Sequence, residues 1–378
     1  MKKKSFNPIM VTKSFLPPIE EYKKEIEKIW ETNWLTNMGP LHQEFKKNLK
    51  GYLKCDNISL FVNGHQALEI ALKSLDLKSG GEVITTPFTF ASTTHAIVNC
   101  GLTPVFCDID LKTYNIDAKK IEQKITEKTV AILPVHVFGT PCDIKKIDEI
   151  SQKYNLKVIY DAAHTFGVEV DGNGIGSFGD ISMFSLHATK VFHSIEGGVL
   201  TYKDKTFEKR IKNLKNFGIT GPEEVVTVGG NSKMNEFQAA MGLVNIRYID
   251  KEIENRKRVA KKYRDVLKEI DGIKFLEDIP GVKHNYAYFP ILIKEEKFGI
   301  TRDDLHEKLK EYNIFTRKYF HPLITEFDCY KGKYNDDDLD VAKYVGKRIL
   351  ALPMYGKLKE KEVIYIFNKI KFLKSGSL

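Results

Sequence analysis

Ile58-Ser59-Leu60-Phe61-Val62-Asn63-Gly64-His65-Gln66 is a short apolar run that stops at an Asn-Gly turn. From Gln66 the pattern changes, and Leu68, Ala71, Leu72 and Leu75 recur at helical spacing. A strand apolar on both sides that feeds a helix is half of a βαβ unit, and the pattern repeats. Glu82-Val83-Ile84-Thr85-Thr86, Pro104-Val105-Phe106-Cys107-Asp108, Val130 to Val137 and Lys157-Val158-Ile159-Tyr160-Asp161 read as further strands with helical stretches between them. The expected fold is α/β, a mostly parallel central sheet between helices. Ligand sites in such sheets form where loops leave the carboxyl ends of the strands.

Beyond a long helix expected over about 236–270, the pattern turns to an extended piece, Tyr286 to Ile293, and helices from Asp303 to Tyr312 and Asp338 to Leu350. This predicts a large α/β domain over 1–250 and a smaller α+β domain over 251–378, with the 1–35 segment packing near the latter. The chain has 378 residues, 42% of them hydrophobic, and a net charge of +9. No apolar run approaches the roughly 20 residues of a membrane helix. The lysines of Met1 to Lys4 are followed by Lys13, Pro17 and Pro18 rather than the apolar core of a signal peptide. The five cysteines are scattered with no C-x-x-C pair, so neither a disulfide framework nor a metal site is expected. A cytoplasmic location follows. The densest basic stretch, Arg256 to Arg264, is interleaved with acids on an amphipathic pattern, which argues against nucleic acid as a partner.

Four strand-end segments carry possible chemistry. Asn63-Gly64-His65 opens a helix, whose unpaired N–H groups suit an anion, although a plain capped turn explains the same residues. Asp161-Ala162-Ala163-His164 sets a carboxylate beside small residues; capping of a following helix is the alternative. In Ser185-Leu186-His187-Ala188-Thr189-Lys190, the apolar neighbours Phe184, Val191 and Phe192 suggest a partly desolvated amine. Most lysines are surface charges, so this position stands out only by context. Pro87-Phe88-Thr89-Phe90 offers a ring to stack on a planar ligand, with core packing the simpler account of Phe88. Together these parts meet the needs of pyridoxal 5'-phosphate: an amine, an anion cradle, a carboxylate for the pyridine nitrogen and a surface for the ring.

In this order the segments, with Trp34 to Gly39, Asn231-Ser232-Lys233-Met234-Asn235-Glu236 and Leu352 to Tyr355, resemble the DegT/StrS family of sugar aminotransferases across nearly the whole chain. The resemblance implies the fold-type I architecture, with Lys190 as the Schiff-base amine and catalytic group, Asp161 at the pyridine nitrogen and His164 at the phenolic oxygen. It implies Gly64, His65 and Ser185 at the phosphate and Phe90 against the ring. Asn231 would come from the partner subunit of a homodimer with shared active sites. Pyridoxamine 5'-phosphate would be the intermediate cofactor form, and L-glutamate the donor. Thr36, Asn37, Arg317, Tyr319 and His321 are expected at the nucleotide-linked ketosugar. Two positions depart from the family pattern: His65 stands where a hydroxyl residue is usual, and Leu186 where phenylalanine is. Thr12 to Pro18 with Trp34 to Asn37 is most similar to the branch that aminates dTDP-4-keto-6-deoxyglucose for surface glycans such as O-antigen. Amination at C3, or of a UDP- or GDP-sugar, remains open, as do an amino-acid decarboxylase or lyase and a cofactor-binding regulator without turnover.

Overall fold

The computed structural model describes residues 7–375; the lysines at positions 2 to 4 lie outside them. Seven strands form the central sheet: β1 (Ile58–Phe61), β2 (Glu82–Thr85), β3 (Thr103–Phe106), β4 (Thr129–Leu133), β5 (Lys157–Asp161), β6 (Ile181–Ser185) and β7 (Gly198–Tyr202). Their order is β1-β7-β6-β5-β4-β2-β3. The pairs from β6 through β5, β4, β2 and β3 are parallel, whereas β7 runs antiparallel to both of its neighbours. The strand over 198–202 has no counterpart in the sequence reading, because the Glu196-Gly197-Gly198 turn hides its start.

Alternation along the strands explains why they read as unbroken apolar runs. Phe61, Val83, Leu133, Ile159, Met183 and Leu200 pack on one face with α3 (Gly64–Ser74), α4 (Ala91–Asn99) and α6 (Phe207–Leu214). Leu60, Phe184 and Val199 turn to the other face, where α2 (Pro40–Leu53) contributes Phe45 and Leu49. Farther along that face, Ile84, Ile132 and Val158 meet Ile147 and Ile150 of α5 (Ile144–Tyr154). Both faces are covered, and the polar strand residues Ser59, Thr85, Ser182 and Thr201 are buried with their hydroxyls hydrogen-bonded.

A second sheet holds three antiparallel strands, β8 (Ile273–Phe275), β9 (Phe289–Ile293) and β10 (Ile349–Leu352), in the order β8-β9-β10. Its core includes Ile9 near the amino terminus, and Ile9 pairs with Ile314 as an isolated parallel bridge.

Two expected helices end differently in the structure. The 236–270 stretch is two helices, α7 (Glu236–Asn245) and α8 (Ile249–Leu267). Between them Arg247 N–H reaches Val244 O and Tyr248 N–H reaches Asn245 O, so the ladder tightens from i−4 to i−3 bonds. The break is fixed from outside: Arg247 pairs with Glu21 and Glu25, and the Tyr248 hydroxyl with Glu21, all on α1 (Ile19–Thr32). The helix expected over 338–350 spans Asp340–Arg348. The Asp108 carboxylate accepts the Val341 and Ala342 N–H groups at its start. At its end Ile349 leaves to pair with Leu292.

Candidate active site

The loops that leave β1, β2, β5 and β6 emerge at one edge of the sheet and wall a cleft of about 670 Å³. Gly64, His65, Phe90, Asp161, His164, Ser185, Lys190, Arg317 and Tyr319 all line it. Asn231, Thr36, Asn37 and His321 do not line it, and all four are exposed.

Lys190 follows β6, its N–H bonded to the His187 carbonyl at 2.9 Å. Among the described residues its amine forms no hydrogen bond or ion pair. Burial pushes the amine pKa down from the usual lysine value, against the opposing pull of Asp161 and Tyr319. That shift favours the neutral form of the amine, which is a nucleophile and a base.

Asp161 ends β5 and is 5% exposed. One oxygen accepts the Thr93 hydroxyl at 2.8 Å and the other the Ala163 N–H at 3.1 Å. Burial raises its pKa, opposed by those two donors and by Lys190. No helix follows it, so the capping account falls away. Thr93, itself bonded to Thr89 at 2.9 Å, was not read from the sequence. The available signal was the hydroxyl run Ser92-Thr93-Thr94, one turn into a helix that begins at the cleft.

His164 is buried, and its Nδ1 has no partner. Burial, with Lys190 and His136 nearby, pulls its pKa well down, so the imidazole is neutral. Its ring lies parallel to Phe320 at 6.0 Å and meets the edge of Tyr288 at 4.8 Å. The two phenylalanines of the Pro87–Phe90 segment divide: Phe88 is fully buried against Phe138 and Phe320, whereas Phe90 is 62% exposed on the cleft wall.

Two helices begin at this wall. Asn63 caps α3 by accepting the Gln66 N–H at 2.8 Å, which leaves the Gly64 and His65 N–H groups facing outward from the first turn. A Cβ on Gly64 would stand 3.1 Å from Ser185 Cβ and 3.3 Å from Met183 Sδ, so glycine permits the close approach of helix and strand. The start of α4 carries Ala91 and Ser92 on the same wall. The His65 ring is engaged by Ser92 and Glu69.

The donor set fits pyridoxal phosphate. An amine, a buried carboxylate, a neutral imidazole with a free nitrogen, an exposed ring and two helix starts with Ser185 between them face one space. Fold and site together define a pyridoxal-phosphate-dependent transferase of fold type I. The chain belongs to the DegT/DnrJ/EryC1/StrS aminotransferase family, whose profile matches residues 18–371. It is 44% identical to a dTDP-4-amino-4,6-dideoxy-D-glucose transaminase of Shigella dysenteriae over 97% of this chain and 99% of that one. A transaminase of the same description from Escherichia coli is 45% identical over 95% and 96% of the two chains. Among solved structures, DesI crystallised with its TDP-sugar product superposes with a TM-score of 0.93 at 31% identity, over 98% of this chain and 94% of that one.

Proposed function

We propose that this aminotransferase moves the amino group of L-glutamate to C4 of dTDP-4-dehydro-6-deoxy-D-glucose, giving dTDP-4-amino-4,6-dideoxy-D-glucose for surface glycans such as O-antigen. The observation that carries the amine chemistry is the desolvated, unbonded Lys190 amine across the cleft from Asp161. The choice of sugar is supported by the two transaminases at 44% and 45% identity.

Pyridoxal phosphate is the cofactor; when bound it supplies an aldehyde for the donor's amine and a ring that withdraws the electron pair left as the neighbouring carbon loses a proton. Asp161, oriented by Thr93 and the Ala163 N–H, holds a proton on the ring nitrogen. Lys190 Nζ takes the proton from the donor's α-carbon, and in the second half-reaction Nζ returns a proton to the sugar carbon. Burial lowers its pKa, which favours the neutral form that accepts a proton. The starts of α3 and α4 with Ser185 bind the phosphate, and Phe90 covers the ring. Arg317, whose guanidinium lies 5.8 Å from the Tyr319 ring, contacts the sugar diphosphate together with Tyr319. His321, Thr36 and Asn37 complete that site only through rearrangement or a neighbouring subunit.

The enzyme acts as a cytoplasmic homodimer, with Asn231 reaching the partner's phosphate site. Support comes from the exposed apolar side chains Phe217, Ile219, Val225, Val226 and Val228 on the segment before Asn231, with Val228 95% exposed. Among the described residues no helix is long and apolar enough to cross a membrane. The proposed division into domains near residue 250 is supported by α8: Ile249 and Ile253 pack with the large sheet's core, and Val259, Tyr263 and Leu267 with the small sheet's.

The test is incubation with L-glutamate and a panel of 3-keto and 4-keto sugars on dTDP, UDP and GDP, with products read by mass and NMR. Amination of the dTDP-4-keto sugar at the highest kcat/KM is expected. Preference for a 3-keto or UDP-sugar would overturn the substrate, and carbon dioxide release from the amino acid would overturn the reaction.

A further inference from the structure

His65 sits on the first turn of α3 and lines the cleft beside Ser92 of α4. Its Nε2 is 3.1 Å from Glu69 Oε1, and its Nδ1 is 2.8 Å from Ser92 Oγ. Glu69 is fixed in turn by the Asn99 amide at 2.8 Å, and its carboxyl is held below the usual carboxylate range, chiefly by the hydrogen bond from His65. The three side chains form a line: carboxylate, imidazole, hydroxyl.

A carboxylate only accepts, so Nε2 carries a proton. The state of Nδ1 then decides which way the hydroxyl points. In the neutral imidazole, Nδ1 accepts the Ser92 proton and the hydroxyl shows lone pairs to the cleft, which repel an anion. In the imidazolium, Nδ1 donates to Oγ and the Ser92 proton is free to turn outward. A bound phosphate favours the second arrangement twice, through the donor it gains and through the positive charge set between it and Glu69.

We propose that His65 is a positioning residue that takes up a proton as the cofactor's phosphate binds, turning Ser92 into a hydrogen-bond donor to that phosphate. This rests on the reading that the phosphate lies at the starts of α3 and α4. The other charged groups around His65 are engaged elsewhere or more remote. Lys73 lies two turns along α3. His95, on α4, bonds the Tyr330 hydroxyl at 2.5 Å. On the loop after β6, His187 bonds Thr189 at 2.8 Å and lies 3.4 Å from Glu196. Lys190 and Asp161 share the cleft but make no contact with the ring. Glu69 is thus the only acid within reach of His65 among the described residues.

The test is calorimetric titration of the cofactor-free protein with pyridoxamine 5'-phosphate at pH 7.5, in two buffers of different ionisation enthalpy, which gives the protons taken up. This ligand forms no Schiff base with Lys190, and its own ionisation enters every variant alike. His65→Asn sets an amide near the place of Nδ1, a donor that does not titrate. Wild type should take up about half a proton to one proton more than H65N, while the affinities stay within about threefold. Glu69→Gln, which keeps a hydrogen bond and removes the charge, should cut the uptake, and Ser92→Ala should weaken binding about tenfold. Equal proton uptake by wild type, H65N and E69Q overturns the role of His65, as does an unchanged affinity in S92A. If pyridoxamine 5'-phosphate binds no tighter than pyridoxamine, the phosphate site itself is misplaced and this proposal falls with it. Tighter phosphate binding with equal uptake removes the proposal alone.

Discussion

Lys190 and Asp161 were legible in the sequence because one lies on the loop that leaves a strand and the other ends a strand, each in a setting that ordinary loops lack. Lys190→Arg should be inactive, since a guanidinium stays protonated and forms no imine. Lys190→Ala should slow amine transfer from glutamate at least about 10³-fold, the scale of losing a positioned acid–base group. Single-turnover absorbance checks both, and a near-native rate in either variant would remove Lys190 from the chemistry. Thr93 was not legible, because its role exists only once α4 is laid against the end of β5. Thr93→Val deletes one of two hydrogen bonds to a buried carboxylate. We expect kcat to fall about tenfold with little change in the KM for glutamate, in line with about 1.5 kcal/mol for a bond to a charged group. An unchanged kcat would mean that Thr93 only packs the helix. His164 shows the other limit: its sequence position was clear, but its neutral state follows from burial, which no motif reports.

Elements were read well wherever apolar periodicity governed them and poorly where a distant side chain did. The strands over 58–62 and 157–161 and the helix after Asn63 follow from pattern alone. The break between α7 and α8 depends on Glu21 and Glu25 of α1, more than 200 residues away, and the motif Asn231 to Glu236 gave no hint of its internal work. There Asn235 caps α7 with Gln238, and Glu236 accepts the Leu41 and His42 N–H groups at the start of α2 at 2.8 and 3.1 Å. That same turn buries the His42 ring with neither nitrogen bonded, and burial, with Lys215 and Lys46 nearby, lowers its pKa to about 3. A histidine depressed in the fold contributes stability that is present above its unfolded pKa of about 6.5 and lost as pH falls toward 3. Between pH 7 and 5 this single ring should cost about 2 kcal/mol. His42→Leu should therefore shrink the drop in unfolding free energy between those pH values by about that amount, measured by urea denaturation at each. An undiminished drop would mean that His42 is protonated or solvated within the fold.

At the scale of the whole molecule, one chain builds a cleft with most of the required chemistry and leaves Asn231, Thr36 and Asn37 on its outer surface. The resemblance implies that Asn231 serves the partner's site and that Thr36 and Asn37 meet the sugar, which one chain's periodicity could not say. The amine, carboxylate and ring surface of the cleft come from one chain, and Asn231 lies outside its lining. The exposed Phe217, Ile219, Val225, Val226 and Val228 lead into Asn231, an apolar surface that a second copy would cover. If Asn231 serves the partner's cleft, subunits with complementary defects repair each other. A dimer of one Asn231→Ala chain and one Lys190→Ala chain has one cleft with Lys190 from the first and Asn231 from the second, which is intact. Its other cleft lacks both. After denaturation and refolding of an equal mixture, hybrids make up about half the dimers, so about a quarter of wild-type activity should return. Neither variant refolded alone should reach that level. If Asn231 instead acts within its own chain, every cleft carries one defect or the other, and the mixture would show only the average of the two separate samples.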